Sequence, residues 1–281
     1  MSFIWVPLIT LTIFLYGAGQ VFTKKGTSRL GAGGMLFLLS VTMIAIYGGA
    51  WVLFAVKTPV HTRELVYCVA SATLSSVGYI FFYEAVERQK ISIVGVVTAA
   101  YPFITVALAV HVLHEPLTSI QIVAVALTIA GVSILSYEPR EQKVKGSSWL
   151  LMAVVCFVMW GLSSLVAKIS ITFVGPLPYA GVYAVVGPSI WIPYWWLKGG
   201  RVHSIKFDSD AEISVIFFCF GSLLLYAAIN YGYVSIVTAF SNLYPFVTLV
   251  LARLIMSEIL QPRHYGAVIL TLLGIILLAL F

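Results

Sequence analysis

Residues 98–117 read TAAYPFITVALAVHVLHEPL, and residues 241–260 read SNLYPFVTLVLARLIMSEIL. At an offset of 143, eight of these twenty positions are identical: Tyr101/Tyr244, Pro102/Pro245, Phe103/Phe246, Thr105/Thr248, Leu108/Leu251, Ala109/Ala252, Glu115/Glu258 and Leu117/Leu260. A chain that writes one proline-bearing apolar run twice should be searched for a longer internal repeat. The same offset pairs Tyr83 with Tyr226, Ala85 with Ala228, Ser92 with Ser235 and Gly131 with Gly274. At an offset of 144, Tyr16-Gly17 pairs with Trp160-Gly161, and Lys24 with Lys168. One insertion or deletion separates the two registers, so the chain reads as one unit duplicated.

The composition says where such a unit lives. Of 281 residues, 61% are hydrophobic and 9% charged, with a mean hydropathy of +1.04. Soluble domains are about a quarter charged. The sequence therefore reads as an all-α integral membrane protein with the lipid bilayer as its surroundings. The net charge of +6 comes from basic residues placed singly between apolar spans. That pattern suits an anionic leaflet and does not suggest nucleic acid. Cys68, Cys156 and Cys219 are scattered in apolar runs, a pattern of small buried hydrophobes rather than of a disulfide framework. The opening stretch has no basic n-region and no small-residue cleavage site, so it reads as a first membrane span.

A membrane helix needs roughly 20 apolar residues. Ten runs meet that length: 3–23, 33–56, 65–86, 91–113, 118–137, 148–168, 177–197, 212–232, 234–256 and 264–281. The repeats are then 1–137 and 148–281, joined by the polar linker 138–147. Five spans is an odd number, so the second copy is expected to cross in the opposite sense. Inverted repeats of this kind build the pathway of many secondary transporters.

These residues resemble the drug/metabolite transporter superfamily, in particular its ten-helix EamA-type members. The likeness spans nearly the whole chain. It rests on Trp160-Gly161-Leu162-Ser163-Ser164-Leu165-Val166-Ala167-Lys168, on the pairs Pro102/Glu115 and Pro245/Glu258, and on Gly131 and Gly274. The resemblance implies alternating access by two inverted bundles around a central cavity, and leaves the substrate open. The chain departs from the pattern at Tyr16-Gly17, where Trp-Gly is usual, and at 179–188, which lacks an Arg often found near the second or seventh helix.

The candidate cavity residues follow from polarity inside the spans. Tyr79 and Tyr83, four apart, share a helix face. Their counterparts Ser222 and Tyr226 do the same, and Asn230 continues that stripe. Polar stripes in membrane helices face the bundle interior, and Tyr offers both a ring and a hydroxyl. Pro102 and Pro245 each remove a backbone donor, which frees the carbonyls of Thr98 and Ser241 and points to a kinked, partly hydrated wall that includes Tyr101, Asn242 and Tyr244. Gln20, Ser163 and Ser164 occupy the polar positions of the first helix in each half, and Gln20, Ser164 and Trp160 join the others as cavity candidates. Interhelical hydrogen bonding is the plainer alternative for these residues.

Other polar residues have simpler readings. Lys24 and Lys168 end their helices and are expected to snorkel. Glu115 and Glu258 are expected to cap the next helix, at Leu117 or Gln261 onward. His111 and His114 lack the H-E-x-x-H spacing, so no metal is expected. Spans 1 and 6 contain no acid, unlike the small multidrug-resistance relatives. No Walker motif, triad or carboxylate dyad is present, so neither an enzyme nor a cofactor is expected.

The expected function is transport, in the exporting direction, of a small organic solute: an amino acid or another uncharged or zwitterionic, often aromatic, compound. A sugar or phosphorylated-metabolite exchanger would want a basic cluster at mid-span. A membrane scaffold or lipid-modifying protein is the alternative of another class. Monomer and homodimer are both compatible. With alternating sides, thirteen basic residues collect on one face and three (Lys57, Arg63 and Lys168) on the other. By the positive-inside rule this places both termini outside, in what reads as a prokaryotic plasma membrane.

Overall fold

The computed structural model describes residues 3–55, 61–88, 94, 97–136, 148–201, 208–256, 266, 267, 269, 270, 273, 274 and 277. Among the described residues the chain is helical and has no strand. The elements are α1 (Trp5–Met43), a π-turn (Ile44–Gly48), α2 (Gly49–Phe54), α3 (Thr62–Arg88), α4 (Pro102–Val112), α5 (Ser119–Ser136), α6 (Ser148–Val174), α7 (Pro176–Leu197), α8 (Ser209–Tyr231), α9 (Val234–Ser241) and α10 (Tyr244–Met256). Among the described residues, five stretches are long and apolar enough to cross a membrane: Trp5–Thr23, Lys25–Phe54, Thr62–Arg88, Ser148–Val174 and Ser209–Tyr231. Helix falls on the first nine of the ten expected spans. The tenth lies mostly outside the described residues, as do Glu258 and the 138–147 linker.

The first two spans run on as one helical path, interrupted at Gly31, where φ is 67° and ψ 174°. Gly175, which separates α6 from α7, has φ 82° and ψ 168°. This backbone region is open essentially to glycine alone. Gly175 is Gly31 plus 144, so the repeat reproduces a backbone conformation that no side-chain comparison would reveal.

Spans 4 and 9 are not single kinked helices. Pro102 is the first residue of α4, after a turn at Ala99–Tyr101, and Pro245 is the second residue of α10, after a turn at Asn242 and Leu243. Proline suits the first turn of a helix because its missing N–H would be unpaired there anyway. The carbonyl of Thr98 does not lack a partner, since the Tyr101 N–H donates to it at 3.1 Å. The expected kink is thus a break, with each proline starting a new helix.

The two halves interlock. α1 packs along α8 in antiparallel sense: Thr12 donates to the Gly221 carbonyl (3.1 Å), and eleven residues on, Thr23 meets Ser214 (2.7 Å). α3 packs along α6 the same way, with Ser71 on Ser163 and Gly78 against Trp160. Under the repeat, α1 corresponds to α6 and α8 to α3, so these are one contact made twice. The close approaches match in detail. A Cβ on Gly17 would lie 2.5 Å from the Val247 Cβ, and one on Gly161 would lie 2.6 Å from the Ile104 Cβ. A Cβ on Gly221 would meet the Tyr16 ring at 2.7 Å, and one on Gly78 would meet the Trp160 ring at 2.6 Å. Small residues let membrane helices approach closely.

Cys68, Cys156 and Cys219 are free and buried, as expected of small core hydrophobes.

Candidate functional site: an uncharged cavity on the seam

Where the first helix of each half crosses the other half, a cavity of about 110 Å³ remains. It is lined by α1 (Tyr16, Gln20), α3 (Ser75, Tyr79, Phe82, Tyr83), α6 (Trp160, Ser163, Ser164, Ala167), α7 (Tyr179) and α8 (Phe218, Ser222, Leu225, Tyr226, Ile229). Thr98, Tyr101, Ser241, Asn242 and Tyr244 close it, near the breaks before the two prolines. None of these lining side chains is charged. Roughly half are aromatic.

The lining is braced from behind. Tyr79 stands edge-on to Trp160 (5.1 Å, 65°) and to Trp191 (5.7 Å, 82°). The Trp191 indole donates to the Ser76 carbonyl at 2.9 Å. Tyr179 and Tyr226 meet at 4.9 Å and 89°. Tyr16 meets Tyr244 at 6.1 Å and 86°, and its repeat counterpart Trp160 meets Tyr101 at 6.1 Å and 80°. Hydroxyls pair across helices: Tyr16 with Ser222 (2.7 Å), Ser71 with Tyr179 (2.8 Å) and Tyr183 with Ser75 (2.7 Å). The Trp160 Nε1 and Asn242 Oδ1 atoms are buried without a hydrogen-bond partner.

Of the candidate residues, Gln20, Tyr79, Tyr83, Thr98, Tyr101, Trp160, Ser164, Ser222, Tyr226, Ser241, Asn242 and Tyr244 come together in this lining. Asn230 does not. It is exposed in the last turn of α8, one residue before the helix ends at Tyr231. The expected span, 212–232, includes it, but the cavity lining on α8 stops one residue short, at Ile229. Tyr16 and Tyr179 were missed. Tyr16 is the repeat partner of Trp160, and that pairing was a signal in the sequence; Tyr179 had none.

Glu115 caps a helix, but not the next one in its own half. His114 takes the left-handed conformation (φ 51°) just past α4, and the buried Glu115 carboxylate then accepts from Val234 N (2.8 Å), Ser235 N (3.1 Å) and the Ser235 hydroxyl. These are the unpaired donors at the start of α9, in the other half. Lys168 does not snorkel. Its ammonium donates to the carbonyls of Ile229 (2.7 Å) and Gly232 (2.8 Å), at the end of α8. A cation at a helix C-terminus and an anion at the following N-terminus both match the helix dipoles. Together they fix the α8–α9 corner beside the cavity.

The other end of the bundle is more highly charged. Arg29 pairs with Asp208 (2.8 Å) and Asp210 (3.0 Å). Glu84 pairs with Lys198 (2.6 Å) and Arg88, and accepts from the Tyr194 hydroxyl. Asp208 also caps α8 through Ala211 N at 2.9 Å. The hydrogen bond from Arg29 holds the Asp208 carboxyl below the usual carboxylate range. Among the described residues no three of His, Cys, Asp or Glu converge as metal ligands would.

The sequence of the EamA-like transporter family matches twice, over residues 3–137 and 147–280. The chain belongs to the EamA-like transporter family. It is an integral membrane protein and, by family, a transporter of small solutes. It is 30% identical over 128 residues to an uncharacterized protein of Methanocaldococcus jannaschii, an alignment covering 45% of this chain and 91% of that one. That relative is the size of a single repeat. A solved crystal structure shares the fold, with a TM-score of 0.75 at 14% identity, covering 98% of this chain and 97% of the other.

Proposed function

We propose that this EamA-like transporter moves small, uncharged or zwitterionic, often aromatic solutes outward across a prokaryotic plasma membrane. Amino acids and compounds of similar size are the substrate class. The mechanism is alternating access between two inverted bundles of five helices, with the cavity at their seam open to one side at a time. The observation behind this reading is the lining: rings and hydroxyls from both halves, and no charged side chain.

Transferring a net charge into such a site would be costly without a partner. A phosphorylated substrate would need Arg or Lys to pair with it, and none lines the cavity among the described residues, which disfavours the exchanger reading. Tyr and Trp faces suit flat apolar groups, while Gln20, Ser164 and Ser222 offer donors and acceptors for a polar edge. The basic bias of one end supports a cytoplasmic location for that end, with both termini outside.

The test is a thermal-shift screen of the purified protein against aromatic and aliphatic amino acids, their amides, sugars and sugar phosphates. Neutral aromatic compounds should raise the melting temperature, and Tyr226→Phe and Ser164→Ala should reduce the shift. Stabilisation by sugar phosphates alone would overturn the reading.

A further inference from the structure

The two ends of the seam are closed by different chemistry. At one end, Arg29 of the first half holds Asp208 and Asp210 of the second. Beside it, Glu84 of the first half holds Lys198 and the Tyr194 hydroxyl of the second. The repeat shows what stands at the corresponding place on the other end. Arg29 maps to Phe173 at the offset of 144, and Asp210 maps back to Tyr67 at the offset of 143. Phe173 and Tyr67 also touch across the seam, as a stacked pair with ring centroids 6.3 Å apart and planes 24° from parallel. Glu84 maps to Ala227, Glu87 to Asn230 and Arg88 to Tyr231. One contact in the architecture is thus ionic at one end and aromatic at the other.

We propose that the Arg29–Asp208/Asp210 and Glu84–Lys198 pairs form an ionic latch between the halves, opposed at the other end by the apolar Tyr67–Phe173 latch, so that ionic strength sets which end opens. The inference rests on the alternating-access reading above. Water and salt reach the ionic latch from its cationic side: the Arg29 and Lys198 side chains are 54% and 48% exposed, although their carboxylate partners are largely covered, and a cleft of about 680 Å³ runs past Arg29, Glu84 and Lys198. Ion pairs in contact with solvent weaken as the Debye length shrinks, from about 10 Å at 0.1 M salt to about 3 Å at 1 M. A contact between aromatic rings has no such dependence and is, if anything, strengthened by salts that favour burial. Raising salt therefore releases one end and leaves the other.

The repeat supplies matched reporter positions. Ser28 and Ser209 flank the ionic latch, Thr172 and Val66 are their counterparts at the aromatic latch, and all four are exposed. Nitroxides would be placed on Ser28→Cys/Ser209→Cys, or on Val66→Cys/Thr172→Cys, in a chain with Cys68, Cys156 and Cys219 replaced. Spin-pair distances are then measured in lipid nanodiscs. Raising KCl from about 0.05 M to about 1 M should lengthen the Ser28/Ser209 distance and leave Val66/Thr172 unchanged or shorter. Arg29→Gln should give the long Ser28/Ser209 distance already at low salt, and Arg29→Asp with Asp210→Arg should restore the short one.

A Ser28/Ser209 distance that neither salt nor Arg29→Gln moves would overturn the proposal. So would lengthening of both pairs together, which means general loosening. The salt series needs no change to the latch itself, so a poorly folding variant does not remove the test. Solute counterflow in liposomes separates this proposal from the reading beneath it. Distances that respond as stated without any solute flux leave the latch standing and count against transport. Flux with unresponsive distances does the opposite.

Discussion

The Thr105 hydroxyl donates to the carbonyl of Gly161, across the seam between the halves, at 3.2 Å. Thr248 makes the same bond to Gly17 at 3.0 Å. Both threonines lie three residues after the repeated Tyr-Pro, and both glycines follow the aromatic residue of a first helix. The hydroxyl reaches a carbonyl that is already in a helix because glycine lets the two backbones come close. We expect Thr105→Val and Thr248→Val each to cost about 1 kcal/mol, measured by denaturation of the purified protein. Similar losses from the two variants are the expected result; a loss confined to one would show that the halves are not held alike.

The glycines themselves should be stricter. Gly17→Ala and Gly161→Ala place a methyl group at 2.5 Å and 2.6 Å from a β-branched neighbour on the other half. Overpacking of this kind costs about 1–3 kcal/mol. Gly48 and Gly49 have nothing within 4 Å of an added Cβ, so Gly49→Ala should be neutral or gain up to about 1 kcal/mol from helix propensity. Melting temperatures of the three variants, compared in one detergent, check the contrast.

Removing the Glu115 carboxylate leaves the Val234 and Ser235 amides buried without an acceptor, at a cost of about 1–3 kcal/mol. Glu115→Gln keeps one acceptor oxygen and should fall between wild type and Glu115→Ala. Hydrogen exchange at the start of α9 should rise in the same order. Unchanged exchange there in Glu115→Ala would remove the capping role.

Asp208 gives the expected acid response. Its folded value lies below the ordinary aspartate value of about 3.9. Its stabilising contribution is therefore present above that ordinary value and is lost as pH falls through the folded one. Melting temperatures taken below about pH 4 should drop less steeply in Asp208→Asn, which keeps a capping acceptor without the charge. Asp208→Ala should lose about 1 kcal/mol at neutral pH through the cap. Equal acid sensitivity in wild type and Asp208→Asn would assign that sensitivity to other groups.

Much of the site could be read in advance, and the misses have physical causes. The tyrosine pair 79/83 and its partners 222/226 reached the cavity because a four-residue spacing fixes a helix face wherever the helix goes. Asn230 follows the same rule but is exposed in the last turn of α8, since spacing along a helix does not say how far along it the cavity extends. Glu115 was readable as a cap, but its target was not: the amides it binds are some 120 positions away in sequence, and only the packing of α4 against α9 brings them within reach. Lys168 looked like a snorkelling residue because a sequence does not reveal the carbonyls of Ile229 and Gly232 beside it.

Sequence by itself determined the membrane setting, the duplication and its registers of 143 and 144, because hydropathy and identity are local properties that survive without coordinates. It also held the Gly31/Gly175 correspondence, although not its meaning, since a positive φ is a property of the backbone. Tertiary structure alone decided that each first helix packs into the opposite half, that a cavity lined by uncharged residues forms where they cross, and that ion pairs join the halves at one end and an aromatic pair at the other. The physical reason is range. Those outcomes depend on which surfaces meet across more than a hundred residues of chain, and periodicity along one helix names a face without naming its partner.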